Sequence, residues 1–208
     1  MNSALILASA SPRRRELLAQ AGYRFAVEPS SIPELRRPEE DAIRFATRLA
    51  REKAEEVFAR RPPSAVPAMV LGADTVVVCE GEVMGKPADA ADAQRMLLRL
   101  SGRTHQVVTG VAVVWGLSSV EVAAEMTQVT MRTVSTQEIA GYVATGEPMD
   151  KAGAYAIQGY AGRWIPRIHG CYFNVVGLPL ALVDSLLEGA ELRMASQLDP
   201  AKGPLGRV

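Results

Sequence analysis

Asp74 stands inside MVLGADTVVVC, a run otherwise apolar enough to be buried on both faces of a sheet. A carboxylate buried there needs a cation, a metal ion or a proton, because an unpaired buried charge is strongly destabilising. It is either one half of an ion pair closed within the core, or a metal ligand or general base in a cleft. Lys53 poses the same question on a helix. Ala42, Phe45, Ala46, Leu49 and Val57 form one apolar stripe at about 100° per residue, and Lys53 falls near its middle. Either its stem covers the core while the ammonium reaches water, or the charge serves a site. Arg13, Arg14 and Arg15 follow Pro12 in the first turn of a further helix, the end whose dipole disfavours cations. An anion bound there reverses the balance, since backbone N–H groups, dipole and guanidinium groups then act together, with Ser9 and Ser11 as further donors. A solvated basic patch is the alternative.

Two more residues belong with these. Glu34, in SIPELRRP, is a second acidic candidate or a solvated loop residue. GEVMGKP, residues 81–87, is not a phosphate loop: three residues separate its glycines, and Pro87 stands where Ser or Thr should hold magnesium. Lys86 remains as a point-charge contact to phosphate, or as a lysine flanking a hairpin. Polyphosphate is the anion that best accounts for several cations beside isolated acidic residues, because its bound metal needs carboxylates. The residues therefore read as a metal-dependent nucleotide or polyphosphate enzyme, with the bond that breaks left open.

The elements that must position them follow from periodicity and punctuation. Residues 4–8 read as a short buried strand, followed by an N-cap at Ser11, Pro12 at the first helical position and a helix to about Ala21, stopped by Gly22. A strand is expected over 23–28, a polar loop over 29–38 and a helix over 39–61 closed by Pro62 and Pro63. The run 69–79 precedes a hairpin turn at Glu80-Gly81, then a helix over 89–100, long strands over 106–114 and 120–131, and helices over 136–144 and 179–187. Early alternation of helix and strand followed by a long hairpin predicts an α/β mixed sheet with flanking helices. One domain over 1–189 and a weakly ordered tail over 190–208 are expected.

Composition narrows the classes. The chain has 208 residues, with 23 Lys and Arg against 23 Asp and Glu; a general nucleic-acid binder carries a basic excess, so that class is not favoured. Cys79 and Cys171 lack zinc or disulfide spacing and read as buried thiols. MNSALILASASPRRR places its charges after its apolar run, the reverse of a secretory signal, and no run approaches a membrane span. A cytoplasmic protein is expected, without membrane or nucleic-acid partners.

LASASPRRRELL, the lysine of REKA, GADTVV, GKP, LSGRTHQVVTGVAV, GEPMDKAGAYAIQG and NVVGLPL occur in the order found in Maf-like proteins. The chain resembles that family from about Leu5 to Leu187. Its members are nucleoside triphosphate pyrophosphatases, once discussed as septum-formation inhibitors. The resemblance implies a fold similar to inosine triphosphate pyrophosphatases, with two lobes around a cleft, and hydrolysis of a nucleoside triphosphate to the monophosphate and pyrophosphate with a divalent cation, magnesium or manganese. Asp74 matches the family's proton acceptor and equally suits a metal ligand, with Glu34 as the other metal carboxylate. Lys53, Lys86, Ser9 and Arg14 match its remaining polar site positions. A homodimer is compatible with it.

Within the family, the branch acting on dTTP and UTP has Arg, Thr and Gln where this chain has Arg13, Thr75 and Gln158. The branch similar to 7-methyl-GTP pyrophosphatase has Trp in place of Arg13. The Gln158 amide offers both donor and acceptor to the edge of uracil or thymine, though an amide that can flip also suits cytosine. Cys171 stands where many relatives have Ser. His105, without a nucleophile beside it, reads as a structural hydrogen-bonding residue, and Trp115 and Trp164 as packing residues. A 7-methyl-GTP pyrophosphatase and a non-catalytic, nucleotide-responsive regulator of cell division are the competing functions.

Overall fold

Four helices begin on the same device. Ser11, Asp41, Asp89 and Ser135 each accept a hydrogen bond from the backbone N–H three residues on, and so open α1 (Pro12–Gln20), α2 (Ala42–Ala59), α3 (Ala90–Leu100) and α4 (Thr136–Ala144). The Asp41 cap starts α2 three residues later than its apolar pattern suggests. The computed structural model describes residues 4–62 and 68–198; Pro63 lies outside them, as does the tail beyond Leu198.

The strands are β1 (Ala4–Leu7), β2 (Phe25–Val27), β3 (Ala68–Cys79), β4 (Glu82–Met84), β5 (Thr104–Gly116), β6 (Ser119–Thr130) and β7 (Arg167–His169). They form one mixed sheet in the order β2-β1-β3-β5-β6-β7, with β4 beside β3. β1 pairs in parallel with β2 and β3, and the remaining pairs are antiparallel. Between α4 and β7 the chain runs through three short 3-10 turns, Glu147–Asp150, Ala152–Ala154 and Tyr160–Trp164. A five-residue helix, α5 (Tyr172–Val176), then leads to α6 (Leu180–Leu198). Sequence pattern ended α6 at Leu187 and placed a weakly ordered tail from 190. The helix instead continues to Leu198, because Ala190 is fully buried beside Val183 and Leu187 and carries the core-facing stripe one turn further. No helix among the described residues is long and apolar enough to cross a membrane.

Alternation along β3 divides the core. Val70, Asp74 and Val76 face α2, whereas Leu71, Ala73, Thr75 and Val77 face the opposite side. On that opposite side the apolar contacts fall into two clusters. One gathers α1 and α6 over Leu71, Val111 and Val113; the other gathers α3, α4 and the 3-10 turns over Val77, Val107 and Val129. Thr75 and Thr109, paired across β3 and β5, lie at the division.

α2 lies unusually close to the sheet. A Cβ at Gly72 would sit 2.1 Å from the Ala50 carbonyl oxygen, and one at Gly110 would sit 2.4 Å from the Ala46 carbonyl. Only glycine at both positions allows that approach, and Gly110 is the cross-strand partner of Asp74.

Candidate active site

The sheet has a gap. β1 ends at Leu7 opposite Leu71, and β4 first meets β3 at Val77, so the intervening residues of β3 have no strand on that side. The chain leaving β1 turns through Ala8–Ser11 into α1, which places a helix N-terminus beside the gap. Because the gap lies in the plane of the sheet, side chains from both faces of β3 reach it. A cleft of about 740 Å³ opens there, lined by Ser9, Arg13, Arg14, Glu34, Lys53, Asp74, Thr75, Lys86 and Gln158 among others. Every site residue expected from sequence therefore borders one cavity, of a size that suits a small ligand.

Lys53 does not reach outward to water. Its ammonium turns into the cleft and donates to Asp74 Oδ1 at 2.6 Å and to Glu34 Oε1 at 2.5 Å. Lys86, more exposed, approaches Glu34 Oε2 at 3.5 Å. Burial pushes the Asp74 carboxyl above the usual carboxylate range, and the charges of Lys53 and Arg14 only partly counter it. Burial acts the same way on Glu34, but there the hydrogen bond and charge of Lys53, with Lys86, outweigh it and hold the group below its ordinary value. The two carboxylates on one ammonium are thus shifted in opposite directions. Asp74 Oδ2 takes no hydrogen bond among the described residues.

Arg14 corrects part of the sequence expectation. Its guanidinium borders the cleft but donates inward, from Nε to Gly177 O at 2.8 Å and from Nη1 to Ala73 O at 2.8 Å and Ser9 Oγ at 3.2 Å. Nη2 donates to Thr75 Oγ1 at 3.0 Å. It satisfies the β3 carbonyl left bare by the gap, which explains a cation at this helix end without an anion. Arg14 braces the cleft wall more than it presents an open anion ligand. Arg13 faces the mouth instead, donating to Asp150 Oδ2 at 3.0 Å and to the Asp150 carbonyl at 3.2 Å across the cleft. Asp150 Oδ1 also receives Lys151 Nζ at 2.5 Å.

Behind Arg14 a hydrogen-bond chain runs from Thr75 Oγ1 to Thr109 Oγ1, at 2.9 Å, and from Thr109 Oγ1 to Asn174 O, at 3.2 Å. Gln158 is exposed at the rim and makes no hydrogen bond among the described residues. His105 is structural as expected: its Nε2 pairs with the Tyr155 hydroxyl at 2.8 Å, and burial pushes its pKa down to about 4. Trp164 is fully buried. Cys171 is only half-buried, contrary to expectation, because it caps the short α5 at the surface.

Sequence reasoning missed Asp150, Lys151, Tyr155 and Thr109. The first three lie in GEPMDKAGAYAIQG, whose 3-10 turns have no helix or strand period to mark a face. Thr109 looked like an ordinary strand threonine.

Residues 4–190 match the family described as Maf-like protein. The chain belongs to the Maf-like family. This Maf-like chain is 53% identical over 186 residues to the dTTP/UTP pyrophosphatase of Koribacter versatilis, covering 89% of itself and 94% of that relative. It is 54% identical over 180 residues to the dTTP/UTP pyrophosphatase of Geobacter sulfurreducens, covering 86% and 92%. Among solved structures it is distantly similar to the Staphylococcus aureus Ham1 protein, with 14% identity, a TM-score of 0.44, and 90% of this chain and 99% of that one covered.

The Maf-like site fits a divalent cation in one particular way. Among the described residues no three His, Cys, Asp or Glu side chains converge, but Glu34 and Asp74 meet at Lys53. Two carboxylates, with phosphate oxygens and water completing the shell, are an ordinary donor set for magnesium.

Proposed function

We propose that the chain hydrolyses dTTP and UTP to the monophosphate and pyrophosphate. The observation that carries this is the buried Asp74, held through one oxygen by Lys53 inside a cation-lined cleft at a break in the sheet. A carboxyl made more basic by burial, with one oxygen fixed and the other open, suits a proton acceptor. The names of the two relatives, each about half identical over most of the chain, support the substrates.

Glu34 would hold a magnesium or manganese ion with phosphate oxygens and water, Asp74 joining it in the alternative to its role as proton acceptor, and the ion when bound neutralises charge on the triphosphate. The protein's own groups do the rest. Lys53 orients Asp74 by holding Oδ1, so that Oδ2 receives the proton of the attacking water. The water oxygen bonds to phosphorus, the α–β anhydride bond breaks, and the leaving group takes the electron pair. Lys86, Arg13, the N–H groups at the start of α1 and Ser9 bind the phosphates, while Arg14 keeps that wall in place. Gln158, Thr75 and Arg13 select the base, with the free Gln158 amide offering a donor and an acceptor.

Product analysis with magnesium and with manganese tests the assignment. UTP should give UMP and pyrophosphate; UDP and orthophosphate would overturn the chemistry. Preference for 7-methyl-GTP over UTP and dTTP would overturn the substrate, and binding without turnover would leave a regulator.

A further inference from the structure

We infer that Thr109, which lies behind Thr75 and lines no part of the cleft, sets the direction of the Thr75 hydroxyl and through it the preference for uracil and thymine over cytosine. The inference rests on the proposed role of Thr75 in meeting the base.

A hydroxyl between two partners can ordinarily point either way. Here both ends of the chain are fixed. Arg14 Nη2 reaches Thr75 Oγ1 at 3.0 Å, and a guanidinium only donates. At the far end Thr109 Oγ1 lies 3.2 Å from the Asn174 carbonyl, and a carbonyl only accepts. That carbonyl also accepts the Gly177 N–H at 3.0 Å, and Thr109 gives its hydrogen to the second lone pair because the other orientation leaves two oxygens facing each other at 3.2 Å. The 2.9 Å contact between the two threonines is then made with the hydrogen of Thr75. The carbonyl is itself held firmly. Asn174 is fully buried, and its amide donates to Val107 O and Thr127 Oγ1, both at 3.0 Å.

Thr75 Oγ1 thus has no hydrogen left for a ligand. One lone pair takes Arg14, and the remaining one can only accept. Uracil and thymine carry a hydrogen on N3, whereas N3 of cytosine is a bare acceptor. With Thr75 set against N3 of the base, an oxygen locked as an acceptor tolerates the first two and leaves two lone pairs facing each other with the third, the kind of mismatch that polar sites use to reject analogues. Thr109, fully buried, is accordingly a positioning residue for specificity.

The test compares kcat/KM for UTP and CTP in the wild type and in Thr109→Val, Thr109→Ala and Thr109→Ser, each at a temperature below its unfolding transition. Valine and alanine both remove the acceptor behind Thr75, so its hydroxyl is free to turn toward the cleft; alanine does so without placing a methyl against Asn174. The wild type should prefer UTP, Thr109→Ser should keep the UTP-to-CTP ratio, and the valine and alanine variants should narrow it about tenfold. Equal losses on both substrates with the ratio unchanged would reduce Thr109 to a packing residue and overturn the inference, as would a serine variant that behaves like valine. A wild type that turns over UTP and CTP alike removes the base-reading role of Thr75, and the inference with it.

Discussion

Gly72→Ala should damage catalysis although Gly72 lines no part of the cleft. The added Cβ would lie 2.1 Å from the Ala50 carbonyl oxygen and 3.0 Å from both Ala54 N and Cβ. Backbone on both sides leaves no flexible side chain to yield, so α2 must retreat by about 1 Å to restore van der Waals distance. Lys53 sits on that helix between Ala50 and Ala54, with its stem buried, and its ammonium holds Asp74 at 2.6 Å. A retreat of that size carries the contact beyond hydrogen-bond range. Overpacking of this kind costs about 1–3 kcal/mol, a fall in Tm of roughly 2–12 °C in a chain of this size. A catalytic group displaced by about 1 Å loses on the order of 10²-fold in rate. The assay is pyrophosphate release at saturating UTP, well below the unfolding transition of either protein, alongside thermal unfolding. A folded Gly72→Ala protein with kcat within about twofold of wild type would refute the link from helix approach to the Lys53–Asp74 pair.

Other expectations are simpler. Asp74→Asn should lower kcat by about 10²–10⁴-fold and keep the fold, because Lys53 retains Glu34 at 2.5 Å; near-wild-type turnover would remove Asp74 from the chemistry. Gln158→Ala should change stability by less than about 0.5 kcal/mol, since the amide is exposed, yet lower kcat/KM for UTP and dTTP about tenfold. Equal losses on every nucleotide would argue against base reading at that position. His105 titrates near 6.5 when unfolded and about 4 when folded, so below pH 6.5 the unfolded chain binds a proton that the folded one refuses. Its contribution is whole above that pH and declines toward pH 4 by about 3 kcal/mol. Urea unfolding across this range should show a flatter pH dependence for His105→Gln, and an unchanged slope would exclude His105 as the cause.

The sequence exposed the site where charge broke an apolar pattern. Asp74 in a buried strand and Lys53 in a helix stripe are violations that packing alone would not tolerate, and they proved to be partners. The helix starts were equally legible, because Ser11, Asp89 and Ser135 are caps with local hydrogen-bond chemistry. What stayed hidden depends on contacts distant in the chain. Nothing local says which of three consecutive arginines turns inward; Arg14 does so because β1 ends early and leaves the Ala73 carbonyl bare. Glu34 lies in a loop with no period, and its pairing with Lys53 exists only once α2 is seated on the sheet. The segment 147–164 is built from 3-10 turns, so Asp150 and Lys151 carried no signal of a common face. Gly189, one residue before the buried Ala190, resembles a helix stop and masks the continuation of α6.

The pairing of charges around the cleft bears on how products depart. Arg13 pairs with Asp150, and Lys86 leans on Glu34. Each of these cations already has an anion, so a ligand that meets only one of them exchanges one ion pair for another and gains little. A triphosphate that meets both at once makes its contacts after the first intramolecularly, and they add strongly. Hydrolysis removes that advantage by dividing one ligand into two, each spanning fewer cations. As the fragments separate, Glu34 and Asp150 are at hand to recapture the cations. On the proposed assignment of the phosphate contacts, the carboxylates that compete with the substrate on entry should also limit inhibition by the monophosphate and pyrophosphate left behind, which product-inhibition kinetics of UTP hydrolysis would measure.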